Sequence, residues 1–127
     1  MRYTLLLHYE ELDAETLGAE ALEEGQAAFA SYAATLHAAG VLIAAEVLQP
    51  SAVSTTVRVR EGELQVQDGP FADTKEQLGG TFVIEVDDLD QAIAWAGRAP
   101  SVKWGAVEIR PTGTRFVDGE WTGFDYR

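Results

Sequence analysis

The residues with the strongest chemical character form a short segment after a predicted hairpin: Asp68, Gly69, Pro70 and Phe71. Glycine lets the backbone turn and proline presets one dihedral angle, so together they would hold Asp68 at a strand end and turn Phe71 inward. A carboxylate fixed in this way is a candidate for binding or acid-base chemistry. The alternative is an ordinary turn, in which the Asp68 side chain accepts hydrogen bonds from the backbone of its own loop.

His8 is the second candidate, because it lies at the end of the first predicted strand, near the expected position of the Asp68 loop. A pair of His8 with Asp68 would perform general acid-base chemistry: the carboxylate fixes the imidazole tautomer, and the ring moves a proton near neutral pH. The alternative is a strand-end histidine that is hydrogen-bonded to backbone. The candidate catalytic residues are therefore Asp68 and His8. The candidate ligand-binding residues, which lie in the same loop or before the last strand, are Gly69, Pro70, Phe71 and Trp104.

The residue types present argue against metal and cofactor chemistry. Glu10 and Glu11 lie beside His8, but no second histidine follows at helical spacing, so we predict no metal and no cofactor. The chain has Cys 0, which excludes disulfides, thiolate zinc ligands and a cysteine nucleophile. It also has no glycine-rich phosphate loop and no nucleophile elbow.

The charge balance restricts the class of partner. Nine Lys plus Arg against twenty-one Asp plus Glu give 127 residues a formal net charge of -12. Nucleic acids and anionic membranes are polyanions, so we expect neither as a partner and no salt-sensitive association with DNA. The apolar stretches are interrupted by charge well before about 18 residues, and the N-terminus runs directly into a strand pattern, so we expect a cytoplasmic protein without a membrane span.

The elements that would position these residues follow from hydrophobic periodicity. Strands are predicted over residues 3–9, 41–48, 81–86 and 104–110, with the first central in its sheet. One long helix ends at Gly40, and a shorter one begins at Asp88 and ends near Pro100. The pattern of residues 55–67 predicts a hairpin with one solvent-exposed face and one packed face. Residues 68–80 are predicted to form a long irregular loop.

This order predicts an α+β fold. With residues 53–67 as an inserted β-hairpin, the remainder reads βαββαβ, the ferredoxin-like plan, with both helices on one face of an antiparallel sheet. The other face would expose Leu6, Ile43 and Val83, so we expect a homodimer that covers it. The tail, residues 112–127, contains an Asp-Gly hairpin turn among aromatic residues and would cover the dimer or the site.

Residues 68–80, with residues 48–51, 55–58 and 84–92, resemble the DGPF-domain proteins, a branch of the YCII-related superfamily. The resemblance extends over about residues 1–111, which separates a domain, 1–111, from the tail. It implies a dimeric α+β barrel, a link to alternative sigma factors for some relatives and a His-Asp active site for the wider superfamily, one branch of which is a dechlorinating enzyme. Asp68 matches the superfamily aspartate. The histidine of the first helix has no match, because that region offers Phe29 and Tyr32.

Two classes of function follow. The first is a small protein that binds a small molecule in a pocket beside the Asp68 loop, with acid-base chemistry by Asp68 and His8. The second is a non-catalytic regulatory or interaction module, linked to a sigma factor. The absent helix histidine weakens the first class, and the loop is compatible with both.

Overall fold

The computed structural model describes residues 1–12 and 14–124. Within them, the chain forms a mixed α+β structure of antiparallel sheets and few helices. Its strands are β1 (Arg2–Tyr9), β2 (Leu42–Val47), β3 (Thr55–Arg60), β4 (Glu63–Asp68), β5 (Gln77–Glu85), β6 (Gly105–Pro111), β7 (Phe116–Val117) and β8 (Glu120–Trp121). Its α-helices are α1 (Ala14–Leu17), α2 (Ala19–Ala38) and α3 (Leu89–Ala96), and short 3-10 helices span Ser51–Val53 and Pro100–Lys103. None of the helices in these residues is long and apolar enough to span a bilayer.

The main sheet has four antiparallel strands in the order β2-β5-β1-β6. The prediction that the first strand is central is confirmed, since β1 pairs with β5 on one side and with β6 on the other. Leu5 in its middle lies opposite Phe82 of β5 and Ile109 of β6. Neighbouring strands therefore cover both edges of β1.

The two faces of the sheet differ because side chains alternate along a strand. Tyr3, Leu5 and Leu7 of β1 are buried in one core with residues of both α2 and α3, among them Leu36 and Ala92. Both helices therefore cover the same face. Each large apolar side chain in this core contributes about 1.5–3 kcal/mol through removal from water.

The opposite face, which we call the open face, is covered by none of the helices in the described part of the chain. Of the apolar residues predicted there, Leu6 and Val83 are half-buried and Ile43 is 47% exposed. By the register of β6 on β1, Glu108 lies opposite Leu6 and Arg110 lies opposite Thr4. The open face is therefore more polar than the strand patterns alone predict.

The predicted single long helix is wrong in its first turns. Gly18, with φ 96°, separates α1 from α2, because this left-handed conformation cannot continue a helix. The predicted end at Gly40 is confirmed: Gly40 has φ 75° and donates to the His37 carbonyl, and Val41 donates to the Leu36 carbonyl. These two bonds form a Schellman cap, which satisfies the last carbonyls of the helix.

The second helix begins as predicted and ends earlier. The Asp88 side chain accepts a hydrogen bond of 3.0 Å from the Gln91 backbone N–H, which caps the N-terminus of α3. The helix ends at Ala96 rather than near Pro100, and Pro100 instead starts a 3-10 helix.

The predicted irregular loop 68–80 is too long. Strand β5 already begins at Gln77, so the non-strand segment is residues 69–76. Gly79 and Gly80 lie within the strand, where neighbouring atoms leave no room for a side chain. A Cβ on Gly79 would lie 2.1 Å from Tyr9 Cζ, and one on Gly80 would lie 2.8 Å from the Glu46 carbonyl oxygen. The register of β5 on β1 shifts at this point, as it does at a β-bulge.

The inserted hairpin forms as predicted, with a two-residue turn at Glu61 and Gly62, which have φ 52° and 78°. The expectation that one of its faces packs is wrong within the described chain. The four branched aliphatic side chains on that face are 58% to 66% exposed: Val57, Val59, Leu64 and Val66. The Asp-Gly turn predicted in the tail is confirmed, since Asp118 and Gly119 join β7 to β8. Residues 125–127 of the predicted tail lie outside the described residues.

Candidate functional site

His8 lies on the open face at the C-terminal end of β1, because it alternates with the buried Leu7. Its Nε2 atom is 3.1 Å from Glu108 Oε1. The other oxygen of the same carboxylate accepts a hydrogen bond of 2.6 Å from Arg110 Nη2. One carboxylate of β6 therefore joins an imidazole on the neighbouring strand to a guanidinium on its own strand.

This arrangement sets the protonation states of the group. The hydrogen bonds from Arg110 and His8, together with the Arg110 charge, hold the pKa of the Glu108 carboxyl below its usual range. An ionised carboxylate only accepts hydrogen bonds, so the Nε2 atom of His8 carries the proton that lies between them. The Nδ1 atom of His8 makes no hydrogen bond with any residue in 1–12 or 14–124. The His8 and Glu108 side chains are 31% and 43% exposed, so the group is accessible to solvent.

Asp68 lies elsewhere, as the last residue of β4, paired with Thr55. Its side chain is exposed, and it forms no ion pair or hydrogen bond with His8 in the structure. The turn interpretation predicts that the Asp68 carboxylate accepts backbone N–H bonds from the loop, and no such bond occurs among the described residues. The loop is instead closed by backbone: Gly69, with φ 107°, donates to the Ser54 carbonyl at 2.7 Å.

The inward orientation predicted for Phe71 is wrong. Its side chain is 78% exposed, and the Arg58 guanidinium lies over its ring at 5.4 Å from the centroid. Pro70 and Gly69 are half-buried. Phe71 points outward because the Gly69 turn ends the hairpin at the surface, where a cation on β3 is the available partner.

Trp104 packs with two other aromatic residues at the end of the sheet. Its ring makes edge contacts with Tyr9 at 5.3 Å and with Phe29 at 6.1 Å. Burial and the nearby Glu11 carboxylate raise the pKa of Tyr9, so this phenol stays neutral. Since Tyr9 follows His8 in β1 and their side chains alternate, Trp104 belongs to the helix-covered side of the sheet, whereas His8 belongs to the open face.

Two contacts tie the loops to this end of the sheet. Gln77, opposite Tyr9 in β5, donates to the Ala72 carbonyl at 2.9 Å and so orders the segment after Phe71. Glu11 accepts a hydrogen bond from the Ser51 backbone N–H at 2.6 Å and another from the Ser51 hydroxyl. The end of β1 that carries His8 is thereby connected both to the Asp68 loop and to the segment that leads into β3.

The surface formed by the described residues includes two shallow depressions. One, of about 320 Å³, is lined by residues 56–60 and Phe71, and the other, of about 290 Å³, lies between α2 and the segment that holds Arg98 and Pro100. Neither is lined by His8 or Asp68. Within the described part of the chain, no group of three or more His, Cys, Asp or Glu side chains is arranged to hold a metal ion.

Comparison with known proteins gives the family. A family model described as the YCII-related domain matches residues 1–113. The chain belongs to the YCII-related domain family. It is also similar to an uncharacterized protein of Rhizobium meliloti (strain 1021), with 43% identity over 68 residues, which are 50% of this chain and 53% of that protein. The YCII-related chain thus spans about half the length of the curated relative that it matches.

In this YCII-related domain, the two residues of α2 considered in place of a helix histidine are structural. Phe29 belongs to the aromatic group around Tyr9, with ring centroids 6.1 Å apart. Tyr32 is buried and donates a hydrogen bond of 2.7 Å to the Trp95 carbonyl. His37 is exposed in the last turn of α2.

Sequence reasoning missed Glu108 and Arg110 as partners of His8. A signal was present, because both residues are charged and alternate with the half-buried Val107 and Ile109 in a strand pattern. Only the pairing of β6 with β1 brings Glu108 and Arg110 close to His8. His8 lies opposite Ala106, and Glu108 is the next residue of β6 on the same face of the sheet.

Proposed function

We propose that this YCII-related protein is a small homodimer that binds a small molecule at the end of β1 beside the Asp68 loop, where His8 moves a proton. The observation that carries the proposal is the 3.1 Å contact between His8 Nε2 and Glu108 Oε1, with Nδ1 of the same ring left unpartnered among the described residues. This is the arrangement of an oriented general base: a carboxylate fixes one ring nitrogen, and the other nitrogen faces solvent or ligand.

Arg110 is a positioning residue in this proposal. Its guanidinium lowers the pKa of Glu108 and binds the second carboxylate oxygen, and the ionised Glu108 keeps the proton of His8 on Nε2. The Nδ1 lone pair is then free to accept a proton from a bound ligand. The imidazolium formed by this transfer would be stabilised by the adjacent carboxylate, and it would return its proton to the product.

The role of Asp68 in this proposal is binding, together with the loop residues Gly69, Pro70 and Phe71. The catalytic pairing of Asp68 with His8 stays a prediction, and so does ligand binding by Trp104, which lies on the other side of the sheet from His8. Asp68→Asn should abolish ligand binding or turnover and leave the melting temperature nearly unchanged, since the Asp68 carboxylate has no hydrogen-bond partner in the described chain to lose.

We extend the proposal to the assembly. The sheet order β2-β5-β1-β6, with both helices on one face, supports a ferredoxin-like plan with an inserted hairpin. The open face then accepts a second copy in a dimeric α+β barrel, and His8 lies on that face, so the partner would help to close the site. The match of residues 68–80 to the DGPF pattern supports assignment to that branch. In this assembly the tail, 112–127, would cover the dimer or the site next to the domain 1–111.

A second candidate is a regulatory or interaction module without catalysis, linked to an alternative sigma factor. The exposed aliphatic face of the β3-β4 hairpin favours it, because contiguous exposed apolar side chains are typical of protein contact surfaces. The cytoplasmic location, the absence of a cofactor and the absence of nucleic-acid binding stay predictions under either candidate.

The two histidines of the chain allow a matched test. A library of small organic acids and carbonyl compounds is screened by ligand-observed NMR in D2O, which detects both binding and exchange of ligand C–H protons for deuterium. We expect a bound compound to shift the ring resonances of His8 and not those of His37. His8→Gln should slow exchange by about a hundredfold, the lower range for a general base, while His37→Gln leaves it unchanged.

Glu108→Gln separates positioning from binding. It removes the acceptor that fixes the tautomer of His8, so exchange should slow and the ligand should still bind. If compounds bind and exchange equally well in the wild type, His8→Gln and Glu108→Gln, the acid-base role is wrong. If compounds bind without exchange at all, the regulatory candidate is preferred.

A further inference from the structure

Strand β3 has one edge that no other strand within residues 1–12 and 14–124 covers, because β3 and β4 form a separate two-stranded sheet. The pairing fixes which backbone groups point to that edge. Gly69 donates to the Ser54 carbonyl, so the pairs of even-numbered β3 residues with β4 are the hydrogen-bonded ones. The N–H and C=O groups of Val57 and Val59 therefore point away from β4, toward the free edge.

A depression of about 320 Å³ follows the same strand, since it is lined by residues 56–60 and Phe71. The Phe71 ring stands at its side, 78% exposed and held against Arg58. The depression follows five successive residues of one strand, and two of them, Val57 and Val59, carry the N–H and C=O groups that point to the free edge. Such a groove fits an extended peptide backbone better than a compact ligand.

The side chains along the groove define the chemistry of its occupant. Arg58 and Arg60 lie on the same side of β3, about 7 Å apart, and neither forms an ion pair with any described residue in a chain of net charge -12. Val57 and Val59 lie on the other side, 58% and 64% exposed. An added strand would match this edge with acidic residues at every second position and aliphatic residues between them.

We propose that the free edge of β3 binds an extended acidic segment of another protein by β-strand addition, with alternating acidic and aliphatic side chains. A second copy of this chain fits poorly, because β3 carries two arginines and no carboxylate, so no antiparallel register of β3 with its own symmetry mate sets an acidic residue opposite either arginine. Charged residues on an edge strand discourage pairing with apolar strands. The same two arginines attract a strand that carries carboxylates, so they select the partner as well as protect the edge.

The test uses the chain of 127 residues, isotopically labelled, and a short peptide of repeated Glu-Val units as the probe. Amide exchange measured by NMR should show protection of Val57 and Val59 on addition of the peptide. Leu64 and Val66, whose N–H groups point to the free edge of β4, are internal controls and should stay unprotected. Backbone N-methylation of the peptide should abolish the effect, because it removes the ladder donors.

Charge dependence is tested with matched variants. Arg58→Gln should weaken binding about threefold, as expected for an exposed ion pair, whereas Lys103→Gln removes an equal charge elsewhere and should leave affinity unchanged. A peptide of repeated Lys-Val units should not bind. The proposal is overturned if the Lys-Val peptide binds equally well, if the N-methylated peptide still binds, if protection occurs at Leu64 and Val66 instead, or if the Glu-Val peptide produces no protection at a concentration on the order of 1 mM.

Discussion

Tyr32 should make the protein lose stability in alkaline solution. Its ring lies in the core, 5% exposed, and its hydroxyl donates to the Trp95 carbonyl at 2.7 Å. Burial raises the pKa of Tyr32 to about 12, while the nearby Arg98 charge partly opposes the rise. The usual tyrosine pKa in an unfolded chain is about 10.

The sign and size of the effect follow from linkage. Because the folded pKa is raised, the stability contributed by neutral Tyr32 is complete below pH about 10 and is lost as pH rises toward 12. Each pKa unit corresponds to about 1.36 kcal/mol, so the full loss is about 2.7 kcal/mol and about half of it occurs by pH 11.

The assay is urea denaturation of the wild type and of Tyr32→Phe over this pH range. At pH about 8, the variant should be less stable by about 1 kcal/mol, because it lacks the hydrogen bond to Trp95. Near pH 11 the two should be about equally stable, and above it the variant should be the more stable one. A stability difference that stays constant from pH 8 to 12, or tyrosinate absorbance showing that Tyr32 ionises near 10 in the folded protein, would refute the reasoning.

Three further outcomes are expected. Gly79→Ala should lower the free energy of unfolding, measured by urea denaturation, by about 1–3 kcal/mol, because the added Cβ would overlap the Tyr9 ring. Gly25→Ala in α2 places its Cβ in open space and should raise that free energy by up to about 1 kcal/mol. Equal effects of the two substitutions would contradict this. Arg110→Ala should raise the Glu108 pKa in an NMR titration. The stabilisation by ionised Glu108 is present above its unfolded pKa, and during acidification the variant should lose it at a higher pH than the wild type does. An unchanged titration curve would contradict the assigned cause. Sedimentation should give the mass of a dimer, whose interface we expect to bury more than about 1,200 Å² in total. A monomer alone at micromolar concentration would contradict the proposed assembly.

Local signals in the sequence determined the elements and several of their ends. Gly40 takes a left-handed conformation that few other residues adopt, and the Asp88 side chain caps a helix. The residue types alone therefore predict the end of α2 and the start of α3. The apolar run of β1 likewise predicted a strand covered on both edges. The turn at Asp118 and Gly119 follows the same logic, since these residue types tolerate positive φ.

The tertiary structure decided everything that depends on contact between distant segments. Gly79 is a turn-forming residue by local preference, yet it extends β5, because the Tyr9 ring occupies the space of its side chain. The sequence predicts Asp68 as the partner of His8, whereas the structure places Glu108, 100 positions away, against it, because the register of β6 on β1 sets which side chains meet. Residue type limits the interactions that a side chain can form, whereas strand register and packing decide which neighbouring residue takes part in them.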